Sequence, residues 1–168
     1  MPILSAENQF RKGLQSLVDG DCAAAAGFFH AAIQVERQRA VARPQMRYLS
    51  YYGLALAQAN GASPEAIRAC EAAARRDFFN PDLLLNLGRV YVLAGKTTRA
   101  LATFEQGLRL APSHPALRAE LAKFDRRQSP PVGFLPRNHS VNRLLGRLRA
   151  SVRQRAAGSL APSRSSSS

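Results

Sequence analysis

Three histidines and two cysteines hold most of the reactive chemistry in this chain of 168 residues. A metal site, or a nucleophile with its base, needs such groups clustered on one helix face or in one loop. His30, His114 and His139 are scattered singletons, with no Cys, Asp or Glu beside them in ligand-like spacing. Cys22 and Cys70 fall on expected helices without a histidine partner in the same motif, so both read as packing residues of a protein kept in a reducing compartment. No glycine-rich phosphate loop is visible. Asn138-His139-Ser140 spells a glycosylation sequon, but MPILSAENQF lacks the basic start and apolar run of a cleaved secretory signal, and a cytoplasmic location is expected. The sequence thus predicts no catalytic residue, no metal and no cofactor, and it implies no small-molecule substrate.

The other available chemistry is cationic, and it is unevenly spread. Residues 1–125 contain 15 Lys or Arg against 11 Asp or Glu, whereas residues 126–168 contain 9 Arg and no acid. Within that tail Arg143, Arg147, Arg149 and Arg153 flank a narrow apolar stripe of Val141, Leu144, Leu145, Leu148 and Val152. The spacing predicts a basic amphipathic helix over 140–156, able to touch nucleic acid or an anionic membrane. It has no aromatic residue for base stacking, which weighs against that use.

The elements that must position these groups are helical. In residues 80–112, Leu84, Leu87, Gly88 and Tyr91 recur at i, i+3, i+4 and i+7, Gly95-Lys96 breaks the run, and Ala100, Phe104, Gly107 and Leu108 repeat the spacing before Pro112. Two short amphipathic helices therefore form a hairpin, with Gly88 and Ala100 expected to let the backbones approach while Tyr91 and Phe104 fill the space beside them. One hairpin cannot bury its own apolar face, and related patterns start at Ala6 and Met46. In the second of these Cys70 stands where Phe29 and Phe104 stand in its neighbours. The expected division is a helical repeat domain over 5–127, with repeats at 6–39, 46–80 and 81–112 and a capping helix at 114–127. Ser5 and Ser63 read as helix N-caps. A Pro-rich extended segment at 128–139, the basic helix at 140–156 and a disordered Ser-rich tail at 157–168 should follow.

The order Leu84, Leu87, Gly88, Tyr91, Gly95, Ala100, Phe104, Pro112 resembles the tetratricopeptide repeat, with Leu84 where the family often has Trp. The starts at Ala6, Met46 and Pro81 lie 40 and 35 residues apart, so against a family period of about 34 both early repeats carry insertions. The resemblance implies an all-α solenoid of three helix-turn-helix hairpins whose first helices line a concave groove. Carried over position by position, the family's groove residues fall on Glu7, Phe10, Leu14, Leu17 and Val18, then Arg47, Ser50, Leu54, Ala57 and Gln58, then Asp82, Leu85, Arg89, Val92 and Leu93. That groove is mainly apolar, with Arg47 and Arg89 as single cations. The subfamily that clamps a chaperone's terminal carboxylate uses Lys and Asn where this chain has Phe10 and Leu14, and Lys and Arg where it has Asp82 and Asn86. That clamp is missing.

The implied function is a non-catalytic protein-interaction module, an adaptor, scaffold or assembly factor taking a partner peptide against Phe10, Leu14, Leu17, Arg47, Leu54, Leu85, Arg89 and Val92. A nucleic-acid or membrane contact through the Arg-rich helix and a type III secretion-like chaperone are the alternatives. Val132, Phe134 and Leu135, apolar residues in a proline-locked stretch, are expected to dock on the repeat array.

Overall fold

The structure, a computed structural model, describes residues 5–127, with side chains described through residue 124. The expected Pro-rich segment with Val132, Phe134 and Leu135, the basic helix with Arg143, Arg147, Arg149 and Arg153, and the Ser-rich tail lie outside the described residues. Within them the chain forms α1 (Ala6–Val18), α2 (Cys22–Gln38), α3 (Met46–Asn60), α4 (Pro64–Arg76), α5 (Pro81–Leu93), α6 (Thr97–Leu110) and α7 (Pro115–Arg127), and no strand. The hairpins are α1 with α2, α3 with α4 and α5 with α6, and they stack in order through α2 on α3, α3 on α5 and α4 on α5. This is the all-α solenoid the repeats imply.

Local chemistry explains where the helices start. Asp21 Oδ1 accepts the Ala24 N–H at 2.9 Å, Ser63 Oγ accepts that of Ala66 at 3.2 Å and Asn80 Oδ1 accepts that of Asp82 at 3.1 Å. Pro64 and Pro81 follow two of these caps, where a missing N–H costs nothing. Ser5 departs from expectation: it precedes α1, but its side chain makes no cap bond.

The turns inside the first and third hairpins place Gly20 and Gly95 at φ 83° and 69°, and each helix end is closed by a bond from the next residue, Asp21 N–H to Ser16 O and Lys96 N–H to Tyr91 O. At 17 residues α2 overruns α4 and α6, as its insertion requires. It ends in the same motif with Ala40 in the left-handed conformation at φ 48° and the Val41 N–H bonded to Glu36 O. Both Glu36 carboxylate oxygens then accept the Gln45 N–H, at 3.1 and 3.0 Å, which ties down the long loop.

The core is built on glycines that receive side chains. A Cβ on Gly13 would lie 2.5 Å from the Phe29 ring, and one on Gly88 would lie inside van der Waals contact of the Phe104 ring; both rings are fully buried. Gly88 therefore makes room for an aromatic ring rather than for a neighbouring backbone, which corrects the expectation. Close backbone approach occurs instead in the middle hairpin, where a Cβ on Gly53 would meet the Ala66 carbonyl oxygen and Cys70 Sγ, each at 2.7 Å. Leu117 of α7 seats on Gly107 in the same way and is fully buried, so α7 closes the stack as the capping helix.

Candidate functional site

The first helices α1, α3 and α5, continued by α7, form one layer of the stack, and their facing side chains are joined from one end to the other. The Arg47 guanidinium donates to Glu7 Oε2 at 2.6 Å, the Tyr48 hydroxyl donates to the same oxygen at 3.0 Å, and the guanidinium lies 4.9 Å over the Phe10 ring. Between α3 and α5, Asn86 Nδ2 donates to Ser50 Oγ at 3.2 Å, while the buried Cys70 thiol donates to Ser50 O at 3.2 Å. Between α5 and α7, Arg89 Nε donates to Glu120 Oε1 at 2.9 Å. His114 Nδ1 accepts the Leu117 N–H and caps α7, so the ring proton sits on Nε2 and is donated to Asp82 Oδ1 at 3.0 Å.

Burial divides the anticipated groove residues into two sets. Phe10, Leu54 and Leu85 are 4%, 3% and 7% exposed, so they are packing residues; their anticipated exposure to a partner is corrected. For Phe10 the reason is an aromatic cluster, with ring centroids of Phe29, Tyr48 and Tyr51 at 5.4, 5.0 and 5.3 Å. Leu14 and Leu17 are half-buried, and Val92 and Leu93 are exposed. Arg47 and Arg89 are on the surface of the layer, but each is already paired with a carboxylate, which corrects their reading as single cations.

Tyr51 is the central residue that sequence reasoning passed over. It follows Arg47 by one helical turn, and that i, i+4 spacing was the available signal. Burial is the main cause of its raised pKa; Asp82 raises it further, while Arg89 and Arg47 lower it. Its hydroxyl therefore senses charges from its own helix α3 and from the neighbouring first helix α5, and it makes no hydrogen bond among the described residues. Glu120 was passed over too, although it lies three residues after Leu117 on the same face of α7.

The two cysteines behave as packing groups. Burial pushes the Cys70 thiol up to about 12, far from a reactive thiolate, and Cys22 Sγ lies 3.8 Å from Gln58 Oε1 between α2 and α3. Among the described residues no His, Cys, Asp and Glu cluster could hold a metal, and no helix is long and apolar enough to cross a membrane.

The array of helical hairpins with small residues seated under rings is a fold of the tetratricopeptide-repeat type. A family model described as tetratricopeptide repeat matches residues 81–124, the third hairpin and α7. Solved structures of similar fold include PcrH in complex with the chaperone binding region of PopB, 19% identical over 73% of this chain and 96% of that one, TM-score 0.56. The second TPR domain of human RPAP3, in complex with the HSP70 peptide SGPTIEEVD, is 18% identical over 72% and 98%, TM-score 0.56. The Sgt2 TPR domain from Aspergillus fumigatus is 16% identical over 82% and 93%, TM-score 0.60. A comparison with curated proteins finds no match.

Proposed function

We propose that this chain is a non-catalytic protein-interaction module that holds a peptide segment of a partner against its layer of first helices. The observation that carries the reading is the Tyr51 hydroxyl, unbonded among the described residues at the centre of that layer and within the fields of Arg47, Arg89 and Asp82. A hydroxyl so placed can bond a passing peptide backbone. Leu14, Leu17 and Val92 offer apolar contact on either side of it, and Leu93 extends that surface. Two of the similar domains are described in complexes with segments of other proteins, which supports the same use here.

The preferred segment is apolar, with an acidic residue or two at most. Arg47 and Arg89 can greet such an acid only by sharing with Glu7 or Glu120; exchange at the exposed Arg47–Glu7 pair costs little, about 0–1 kcal/mol, whereas the part-buried Arg89–Glu120 pair is held more firmly. Asp82 and Phe10, standing where a carboxylate clamp would need cations, disfavour a partner's terminal carboxylate. The test is capture of protein from lysate at low and high salt by the full chain, by Tyr51→Phe and by Val92→Asp. A salt-resistant partner held by the parent, weakened by Tyr51→Phe and lost with Val92→Asp at unchanged melting temperature is expected. Capture untouched by both changes would place the partner elsewhere.

A further inference from the structure

A different surface of the repeat array carries exposed apolar residues with no part in the first-helix layer. The second helix of every hairpin ends in arginine followed closely by an exposed apolar side chain. These ends are Arg37 with Val41 after α2, Arg75 and Arg76 with Phe78 and Phe79 after α4, and Arg109 with Leu110 at the end of α6. Two clefts join the first two ends and reach towards the third. One, of about 210 Å³, brings Arg37 and Val41 against Arg76; the other, of about 470 Å³, brings Arg75 and Phe78 against Gln106 of α6. Because the antiparallel hairpins stack in order, the ends of their second helices all belong to one edge of the stack.

Phe78 and Phe79 are 54% and 70% exposed, the largest exposed side chains among the core-type residues described. Their rings pack on each other at 4.2 Å between centroids, in the short loop between α4 and α5. Of the acids nearby, Glu36 is bonded to the Gln45 N–H, Asp77 to the Asn80 amide and Asp82 to His114, while Glu71 holds the Tyr91 hydroxyl and, at 3.7 Å, the exposed Arg75 guanidinium, a surface pair that costs little to exchange. The opposite edge, at the turns inside the hairpins, also exposes Val18 and Leu93 but has Asp19, Asp21 and Lys96 where this edge has its arginines.

Charge decides what covers this edge. A second copy would bring the same arginines face to face, and the chain's own residues 126–168 contribute 9 Arg and no acid, so both are repelled. The occupant is anionic and also accepts apolar side chains. Val41 and Leu110 offer nothing to a nucleic-acid base, and the two Phe rings already face each other. An anionic bilayer satisfies both demands, with headgroups for the guanidinium groups and an acyl boundary for the rings. We propose that this edge is a peripheral contact for an anionic phospholipid surface, entered by Phe78 and Phe79 and held by Arg37, Arg75, Arg76 and Arg109.

Vesicle flotation of the full chain tests this, with neutral phosphatidylcholine vesicles against vesicles also containing phosphatidylglycerol. Binding to the anionic vesicles alone is expected. Phe78→Ser with Phe79→Ser should lower it about tenfold or more, and Arg75→Gln or Arg76→Gln roughly fivefold each, with unchanged circular dichroism because all four side chains are exposed. Changing Arg143, Arg147, Arg149 and Arg153 together to Gln should leave the Phe78 and Phe79 dependence in place. The chain has no Trp, so Phe79→Trp supplies a single fluorophore whose emission should shift to the blue with anionic vesicles, while Leu93→Trp on the opposite edge should not respond. Flotation indifferent to the double Phe change, flotation abolished by the four tail changes, no flotation at all, or an unshifted emission from Phe79→Trp would each overturn the proposal. Displacement of the vesicles by a duplex oligonucleotide that itself needs Phe78 and Phe79 would overturn it in favour of nucleic acid.

Discussion

The first and third hairpins solve the packing of two helices differently from the middle one. In the outer two, glycine on the first helix receives a phenylalanine ring from the second, Gly13 with Phe29 and Gly88 with Phe104. In the middle hairpin the ring is replaced by Cys70, and the helices close until Gly53 lies against the Ala66 carbonyl. The volume lost with the ring is recovered by backbone approach, and the small thiol gains a hydrogen bond to Ser50 O, whose own hydroxyl receives Asn86 from the next hairpin. A degenerate repeat is thus not a weakened copy. It exchanges apolar filling for polar links that run into the first-helix layer beside Tyr51.

The sharpest way to break this comparison is to remove the side chain on each glycine. Phe29→Ala and Phe104→Ala should each cost about 3–5 kcal/mol, whereas Cys70→Ala should cost about 1 kcal/mol, read as shifts in urea midpoint. Equal losses would mean that the middle hairpin is packed like the others. Filling the glycines comes next, at about 1–3 kcal/mol for Gly88→Ala and for Gly53→Ala. Here a second change separates the mechanisms: Phe104→Leu should recover part of the Gly88→Ala loss, because a side chain is the obstacle, while Cys70→Ala should not recover Gly53→Ala, because the Ala66 carbonyl remains.

Alkaline pH sharpens the contrast further. The Cys70 thiol is raised from 9.0 to about 12, so its contribution is complete below pH 9 and is lost as pH rises through about 12; at pH 10 the loss is roughly 1 kcal/mol. Tyr91, raised from 10.0 to about 12 chiefly by burial and then by its bond to Glu71, begins to lose its contribution only above pH 10. Cys70→Ala should therefore delay the onset of alkaline destabilisation in urea titrations at stepped pH. The smallest effect is a gain: Ala40→Gly, relieving an alanine held in the left-handed conformation after α2, should stabilise by roughly 0.5–1 kcal/mol.

Much of this fold is written plainly in the sequence. Apolar spacing, the cap at Ser63 and the break at Gly95-Lys96 announce the helical hairpins that stack in the structure. The candidate site was less legible. Family positions mark which side of a helix faces the groove, but not how far a side chain sinks, and Phe10 disappears into an aromatic cluster assembled from three helices. Likewise Arg47 and Arg89 gain their carboxylates from residues 40 and 31 positions away, Glu7 and Glu120, a pairing that only the stacked fold creates. Phe78-Phe79 could have been flagged, since two consecutive aromatics between Asp77 and Asn80-Pro81 have no helix face to pack on.

Site-specific photo-crosslinking tests the peptide-holding role most directly. A photoreactive residue placed at Val92, exposed on the first-helix layer, is compared with one placed at Ala102, exposed on α6. A defined protein partner crosslinked from position 92 and not from position 102, and diminished by Tyr51→Phe, is the predicted result. Crosslinks of equal yield from both positions, or from position 102 alone, would contradict it.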